Sequence, residues 1–208
     1  MRSSRRVFCG AVVRPGRTFS GLASDPKRFR KGVRVTLAAG FLYAATAALL
    51  GSGGALVTGP PVVPLSPQNY YFYQMIFALP LLAALWLLSS TWAHGLSKIF
   101  GGRGDWKTTA SGLAFSFAIP CLMVWIPPTV FGALLHAGMP QTEFMDLFSR
   151  PGWLQVAGWV YHGLAAAWMV YLSAAALRAG HGFSWLAAAL AAVLTSAFFL
   201  AGFLVFIR

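Results

Sequence analysis

Residues 27–57 read KRFRKGVRVTLAAGFLYAATAALLGSGGALV, and this stretch decides the fold class. Its first eight residues carry five basic side chains, whereas residues 35–57 carry no charge. An α-helix rises about 1.5 Å per residue, so about 20 apolar residues cross the hydrocarbon core of a bilayer. The stretch therefore predicts a transmembrane helix with a strongly basic boundary on one side of the membrane.

Four further apolar stretches of similar length follow the first. The predicted spans cover residues 35–57, 69–92, 110–135, 153–177 and 183–207. With 58% hydrophobic residues and a mean hydropathy of +0.67, the 208-residue chain has little room for a soluble domain. We expect an all-α, polytopic integral membrane protein with a bundle of five transmembrane helices. Residues 1–34 would form a basic cytoplasmic tail and residues 35–208 the membrane domain.

The distribution of Lys and Arg predicts the orientation of this bundle. Fourteen of the sixteen basic residues lie in the tail and in the second and fourth connectors, which fall on one side of five spans. Because Lys and Arg concentrate in cytoplasmic segments, we expect a cytoplasmic N-terminus and a C-terminus outside the cytoplasm. The net charge of +12 then fits the anionic lipids of the cell inner (cytoplasmic) membrane and not a nucleic acid.

Two helix-start signals occur in the tail. Ser24-Asp25-Pro26 combines a capping oxygen with a following proline, and Arg14-Pro15 is a similar start. We expect one or two short helices at the membrane interface, which either sense lipid, dock a partner or only anchor the topology. An export signal at Arg5-Arg6 is disfavoured because Arg14 interrupts the apolar run that follows it. The candidate lipid-facing cations are Lys27, Arg28, Arg30, Lys31 and Arg34.

The chain has few of the residues that catalysis or cofactor binding requires. Cys9 and Cys121 show no metal-ligand spacing. Residues 101–108 come close to a phosphate-binding loop, but Trp106 stands where glycine is needed and no strand precedes it. The carboxylates are only Asp25, Asp105, Glu143 and Asp146. We therefore expect no catalytic residue, no cofactor and no metal site, and a protein that is not an enzyme.

The connector at residues 94–109 holds the most distinctive motif. Glycine permits a tight turn where a side chain would clash. Arg103 and Lys107 can reach lipid phosphates or the carbonyl groups at helix C-termini. The alternative is an interfacial turn with a purely structural role. The motif residues are Gly101, Gly102, Arg103, Gly104, Trp106 and Lys107.

With Lys98 before it and Pro120 after it, this turn resembles the Yip domain family, the Ypt/Rab-interacting membrane proteins, in its bacterial branch. Residues 15–19 (PGRTF) and Asp25-Pro26 resemble the opening of the same family. The resemblance implies a membrane-embedded helical bundle of five spans with a cytoplasmic N-terminus. It also implies, for eukaryotic members, a role in early secretory traffic and association with Rab GTPases and with one another. For the bacterial branch it implies no established reaction.

Candidates for function inside the membrane are His162, Pro120, Pro127 and Pro128. His162 is an ionisable group well within the fourth span, and the prolines interrupt helical hydrogen bonding in the third. Each feature has a structural explanation in packing and a functional one in a transport pathway. We expect a non-enzymatic membrane scaffold or accessory subunit that binds anionic lipids, other membrane proteins or a second copy of itself. A small transporter or channel built on the third span and His162 is the alternative.

Overall fold

The computed structural model describes residues 3–57 and 65–206, and within these residues the chain forms nine α-helices and no β-strand. Five segments, residues 28–52, 67–99, 106–136, 153–181 and 185–205, are long and apolar enough to cross a membrane. The predicted all-α, polytopic membrane fold is therefore confirmed. Arg208 and most of the proline-rich loop at residues 59–67 lie outside the described residues. The helices are α1 (Ser4–Val13), α2 (Pro15–Ala23), α3 (Arg28–Ser52), α4 (Tyr70–Ile99), α5 (Trp106–Val124), α6 (Ile126–His136), α7 (Gln141–Ser149), α8 (Trp153–His181) and α9 (Trp185–Phe206).

Three spans extend further than their apolar stretches. α3 begins at Arg28 and not near residue 35, α4 continues to Ile99, and α8 continues to His181. Charged side chains end an apolar stretch without ending a helix, because their long stems carry the charge to water while the backbone stays hydrogen bonded. α8 stops only at Gly182, which has φ +75° and forms a left-handed cap. The connectors at this end therefore shorten to residues 100–105 and 182–184.

The third span is broken into α5 and α6 at Trp125. Pro127 and Pro128 lie in the first turn of α6, where a helix tolerates residues that have no backbone N–H. In a continuous helix the carbonyl of Met123 would accept from the N–H of residue 127, but Pro127 has none. This carbonyl accepts a hydrogen bond from the Tyr161 hydroxyl of α8. Pro120, by contrast, lies buried inside a continuous α5. The predicted interruption of the span thus comes from two of the three prolines.

Helix α5 forms the centre of the bundle. Every residue from 109 to 121 is buried, and α3, α4 and α8 pack around it. Gly112 lies against Ala176 of α8 so closely that a Cβ at Gly112 would be 2.8 Å from the Ala176 Cβ. Phe117 stacks on Phe199 of α9 with 4.2 Å between ring centroids. A cavity of about 20 Å³ beside this ring pair has room for about one water molecule, so the interior is closely packed at this level.

The N-terminal helices pack apolar side chains against the spans, and their predicted place at the membrane interface stays a prediction. Val7 of α1 and Phe19 and Leu22 of α2 are buried with Phe115 of α5 and Leu172 of α8. Fixed side chains on α5 and α8 give these residues dispersion contacts that mobile lipid chains do not match. Four basic side chains of the two helices and the residue between them remain exposed, namely those of Arg5, Arg6, Arg14 and Arg17.

Candidate functional site

Five span termini meet at one end of the bundle, which we call the basic end. α3, α5 and α9 begin there, and α4 and α8 end there. The tail linker at residues 24–27 and the connectors at residues 100–105 and 182–184 join these termini. At the opposite end, the amide of Gln141 on α7 pairs with the backbone N–H and carbonyl of Leu56, both at 2.8 Å. The motif turn and most of the predicted lipid-facing cations therefore belong to the same end.

The motif turn packs directly on the end of α8. Gly101 has φ +77°, a conformation that favours glycine. A Cβ at Gly104 would be 2.4 Å from the carbonyl oxygen of Gly180, so no larger residue fits there without displacing backbone. Gly102 is similarly crowded by His181. The N–H of Arg103 donates to the His181 carbonyl at 3.2 Å, which completes the junction between the turn and α8.

The cation that contacts the carbonyl groups of this turn is Lys98. Neither Arg103 nor Lys107 makes this contact. Its Nζ donates to the carbonyl of Gly104 at 3.0 Å and, more weakly, to that of Gly102 at 3.4 Å. The side chains of Arg103 and Lys107 are exposed, and among the described residues neither donates to a helix carbonyl group. Of the two uses that the sequence offered for these residues, only contact with groups outside the protein fits their positions.

Asp105 joins α3 and α5 at the basic end. Its carboxylate caps α5 by accepting from the Thr108 N–H at 2.7 Å, and it also accepts from the Arg28 guanidinium of α3 at 2.5 Å. Desolvation raises the pKa of Asp105, but the hydrogen bonds from Thr108 and Arg28 outweigh it and bring the pKa to about 2. The next residue, Trp106, donates its Nε1–H to Thr91 on α4 at 3.2 Å. The carboxylate therefore stays ionised across the physiological pH range.

Asp25 and Lys31 form a second ion pair that the sequence did not reveal. Only 9% of the Asp25 side chain and 7% of the Lys31 side chain are exposed. The hydrogen bond from Lys31 lowers the pKa of Asp25, and the Lys27 N–H adds a second donor at 2.8 Å. The pair holds the tail linker against the first turn of α3.

These two ion pairs correct part of the predicted set of lipid-facing cations. Arg28 and Lys31 face the protein, because each is held by a carboxylate that lies beside the start of α3. Lys27, Arg30 and Arg34 are exposed. Only these three of the five predicted cations are free to contact lipid.

A histidine pair lies beneath the motif turn, with His181 buried and His94 partly buried. His181 is 3% exposed, and its Nε2 lies 2.8 Å from the hydroxyl oxygen of Thr109. The same hydroxyl oxygen is 3.3 Å from Nδ1 of His94 on α4, and the two imidazole rings are 5.7 Å apart. Thr109 thus links α4, α5 and α8. His181 could not be recognised from the sequence, because the glycines on both sides of it are typical of a turn outside the span.

His162 and the prolines do not form a common site. The His162 side chain is exposed on α8, and its Nδ1 contacts the carbonyl oxygen of Gly158 in the same helix at 2.8 Å. It therefore faces away from the closely packed interior that contains Pro120. Within residues 3–57 and 65–206, no three His, Cys, Asp or Glu side chains are arranged to hold a metal ion.

The profile of the Yip1 domain matches residues 10–207, almost the whole chain. The protein therefore belongs to the Yip1 domain family, and it is a multi-pass membrane protein. No curated protein and no solved structure shows a significant match to the chain.

Proposed function

We propose that this protein is a non-enzymatic scaffold or accessory subunit of the bacterial branch of the Yip family, in the cell inner membrane. Its basic end binds anionic lipid headgroups and presents the bundle to other membrane proteins or to a second copy. The N-terminus and the basic end lie on the cytoplasmic side, and the C-terminus lies outside the cytoplasm. Positive charge concentrated at one end of the bundle supports this orientation.

One observation carries the proposal: the basic end is surrounded by exposed cations that pair with no carboxylate in the described part of the chain. The two carboxylates at this end, Asp25 and Asp105, are already occupied by Lys31 and Arg28. The remaining cations have no internal partner to neutralise them, and anionic headgroups are the complementary charges at a membrane surface. The exposed set includes Lys27, Arg30, Arg34, Arg103, Lys107 and Arg178, the last of which lies over the Trp185 ring.

The geometry gives less support to a transporter or channel. Such a protein needs polar groups that face a route through the bundle. His162 faces outward, and the cavity beside Phe117 and Phe199 is apolar and holds about one water molecule. The broken third span is packed at its break, where Tyr161 satisfies the exposed carbonyl of Met123. Packing therefore accounts for the proline break.

The experiment that tests the proposal measures lipid retention by the full-length protein. The protein is purified in mild detergent, mixed with phosphatidylglycerol or phosphatidylcholine, and analysed by native mass spectrometry. Replacing Lys27, Arg30 and Arg34 together with Gln should weaken phosphatidylglycerol binding on the order of 10- to 100-fold, because each surface cation contributes about 1 kcal/mol. Phosphatidylcholine binding should not change.

Arg150→Gln is the matched control, because Arg150 is exposed and lies away from the basic end, paired only with Asp146. This variant should retain phosphatidylglycerol as the wild-type protein does. Equal retention of both lipids by the wild-type protein, or an equal loss in the control, would refute lipid recognition by the basic end.

A further inference from the structure

The first half of α8 has little of the bundle packed around it. None of residues 153–164 is buried, whereas nine residues between Ala165 and His181 are buried. A hydrogen bond from the Tyr161 hydroxyl to the Met123 carbonyl ties this half to the break in the third span. The other sides of the helix face outward, where either lipid or another protein covers them.

His162 lies on this outward half at a depth where a polar group is costly. It follows Trp153 by nine residues, which is about 14 Å along the helix axis. The span has 29 residues and is about 43 Å long, so a centred hydrocarbon core of about 30 Å includes His162. Ionisable side chains in transmembrane helices almost always face protein or a water-filled cavity. The outward position of His162 therefore indicates that a protein surface covers this side of α8.

The hydrogen bond of His162 within α8 defines what that surface must supply. The Nδ1 atom of His162 lies 2.8 Å from the Gly158 carbonyl oxygen. Because a carbonyl oxygen only accepts, Nδ1 carries the hydrogen of the neutral ring and Nε2 is an acceptor. No described residue donates to this Nε2. The complementary group is an N–H or O–H donor at the depth of His162.

Trp159 offers such a donor on the same side of α8. It precedes His162 by three residues, so the two side chains are neighbours on the helix surface. The Trp159 side chain is 75% exposed, and its indole N–H makes no hydrogen bond within the described chain. The two residues are offset by about 4.5 Å along the axis, which two long aromatic side chains can span. A donor and an acceptor that match one another thus lie side by side on one exposed surface.

We propose that α8 packs against α8 of a second copy about a two-fold axis along the membrane normal, so that each Trp159 indole N–H donates to the other copy's His162 Nε2. This deepens the proposed function, on whose association with a second copy it rests. A two-fold axis makes the contact self-complementary, because each copy gives one donor and one acceptor. In a parallel helix pair, spacings of four, three and four residues form the contact surface. This surface, the α8 seam, comprises Gln155, Trp159, His162 and Ala166.

The two outer positions of the α8 seam also fit a second copy. Gln155 lies two turns before His162, near the end of the span, and its amide has no partner among the described residues. An amide both donates and accepts, so two Gln155 side chains that meet across the axis satisfy one another. Ala166 has a small side chain that lets two helices approach closely. Lipid hydrocarbon offers neither a donor nor an acceptor, so it does not complete this surface.

The first test locates the α8 seam by cysteine cross-linking of the full-length protein in native membranes. On a Cys9→Ser background, in which the remaining Cys121 is buried, Gln155→Cys should form disulfide-linked dimers with a membrane-permeant oxidant. Ala157→Cys is the matched control, because it is exposed at nearly the same depth but lies about 160° away around the helix. Equal dimer yields at both positions, or a Gln155→Cys cross-link only to a different protein, would overturn the proposal.

The second test measures the monomer–dimer equilibrium in phosphatidylcholine liposomes by energy transfer between labelled copies as the protein-to-lipid ratio is varied. Trp159→Phe and His162→Leu each remove both symmetric hydrogen bonds and should weaken dimerisation on the order of 10-fold. His162→Gln should dimerise as the wild type does, because its amide oxygen still accepts. Trp153→Phe is the matched control, since Trp153 is 77% exposed but lies outside the α8 seam, and it should leave dimerisation unchanged.

Three results would overturn the proposal. They are a wild-type protein that stays monomeric at every protein-to-lipid ratio, unchanged dimerisation in Trp159→Phe, and an equal loss in Trp153→Phe. Lipid retention at the basic end is an independent readout. A monomeric protein that still prefers phosphatidylglycerol would refute the α8 seam and leave lipid binding intact. Dimers that depend on Trp159 and His162, in a protein without lipid preference, would support the α8 seam and refute lipid recognition by the basic end.

Discussion

Asp25→Asn is expected to destabilise the protein strongly, although the two side chains have nearly the same size. Asn keeps the oxygen that accepts the hydrogen bond from the Lys27 N–H, so the turn of the tail linker is retained. It removes the charge that Lys31 needs, and the Lys31 side chain is only 7% exposed. An unpaired buried charge costs about 3–5 kcal/mol, and we take about 3 kcal/mol because this pair lies near the end of a span.

The double variant Asp25→Asn/Lys31→Met tests the physical reason for that loss. With both charges removed, no ion remains buried without a partner, so stability should return to within about 1 kcal/mol of the wild type. The matched control is Arg28→Gln, which breaks the pair with Asp105. The Asp105 side chain is 55% exposed, so water replaces the lost contact and the cost should be below about 1 kcal/mol.

The assay is unfolding of the purified protein by sodium dodecyl sulfate titration in mixed micelles, followed by tryptophan fluorescence and far-ultraviolet circular dichroism. The expected order of stability is wild type, then Arg28→Gln and the double variant together, then Asp25→Asn. If Asp25→Asn costs no more than Arg28→Gln, or if the double variant is no more stable than Asp25→Asn, the inward position of Lys31 is wrong.

Three further predictions use the same unfolding assay. The pKa of Asp105 is about 2 in the folded protein, and that of Asp25 is also lowered. The free energy of unfolding should therefore be highest above about pH 4 and fall as the pH approaches 2. A free energy of unfolding that stays constant over this range would contradict the prediction. Gly104→Ala should lose about 1–3 kcal/mol, because its Cβ meets backbone at 2.4 Å, whereas Gly95→Ala, with open space around it in α4, should be neutral or stabilising. Tyr161→Phe should cost about 1 kcal/mol by leaving the carbonyl at the α5–α6 break unpaired, and an unchanged stability would show that lipid or water satisfies it.

Hydropathy and turn chemistry predict much of this fold because they act locally. Five apolar stretches give five spans, since a bilayer requires about 20 apolar residues per helix. Pro127 and Pro128 break the third span for a reason that lies in their own covalent structure. Gly101 has the positive φ that a tight turn between two antiparallel spans demands.

The direction in which side chains point could not be predicted in the same way. Whether a residue faces the bundle depends on the rotation of its helix, which neighbouring helices determine. Lys31 is therefore buried beside Asp25 although hydropathy places lysine outside, and His162 is exposed although it lies well within a span. His181 joins His94 through Thr109 across three helices, and no spacing along the chain encodes that junction.

The packing of the tail against the spans could not be predicted for a related reason. The amphipathic character of α1 and α2 indicates that one face is buried, but it does not distinguish a lipid leaflet from a protein groove. Phe19 and Leu22 meet side chains on α5 and α8, which lie about 100 residues or more further along the chain. Only the tertiary structure brings that groove to the tail.

The most direct test of the account is the side of the membrane on which the basic end lies. Cys9 is exposed on α1, and Cys121 is buried in α5, so a membrane-impermeant maleimide should label only the former. A Ser24→Cys variant on a Cys9→Ser background repeats the measurement in the exposed tail linker. If the basic end is cytoplasmic, we expect labelling in inverted membrane vesicles and none in right-side-out vesicles. Labelling of both positions from the outer side would contradict it, because the exposed cations would then face away from the anionic cytoplasmic leaflet.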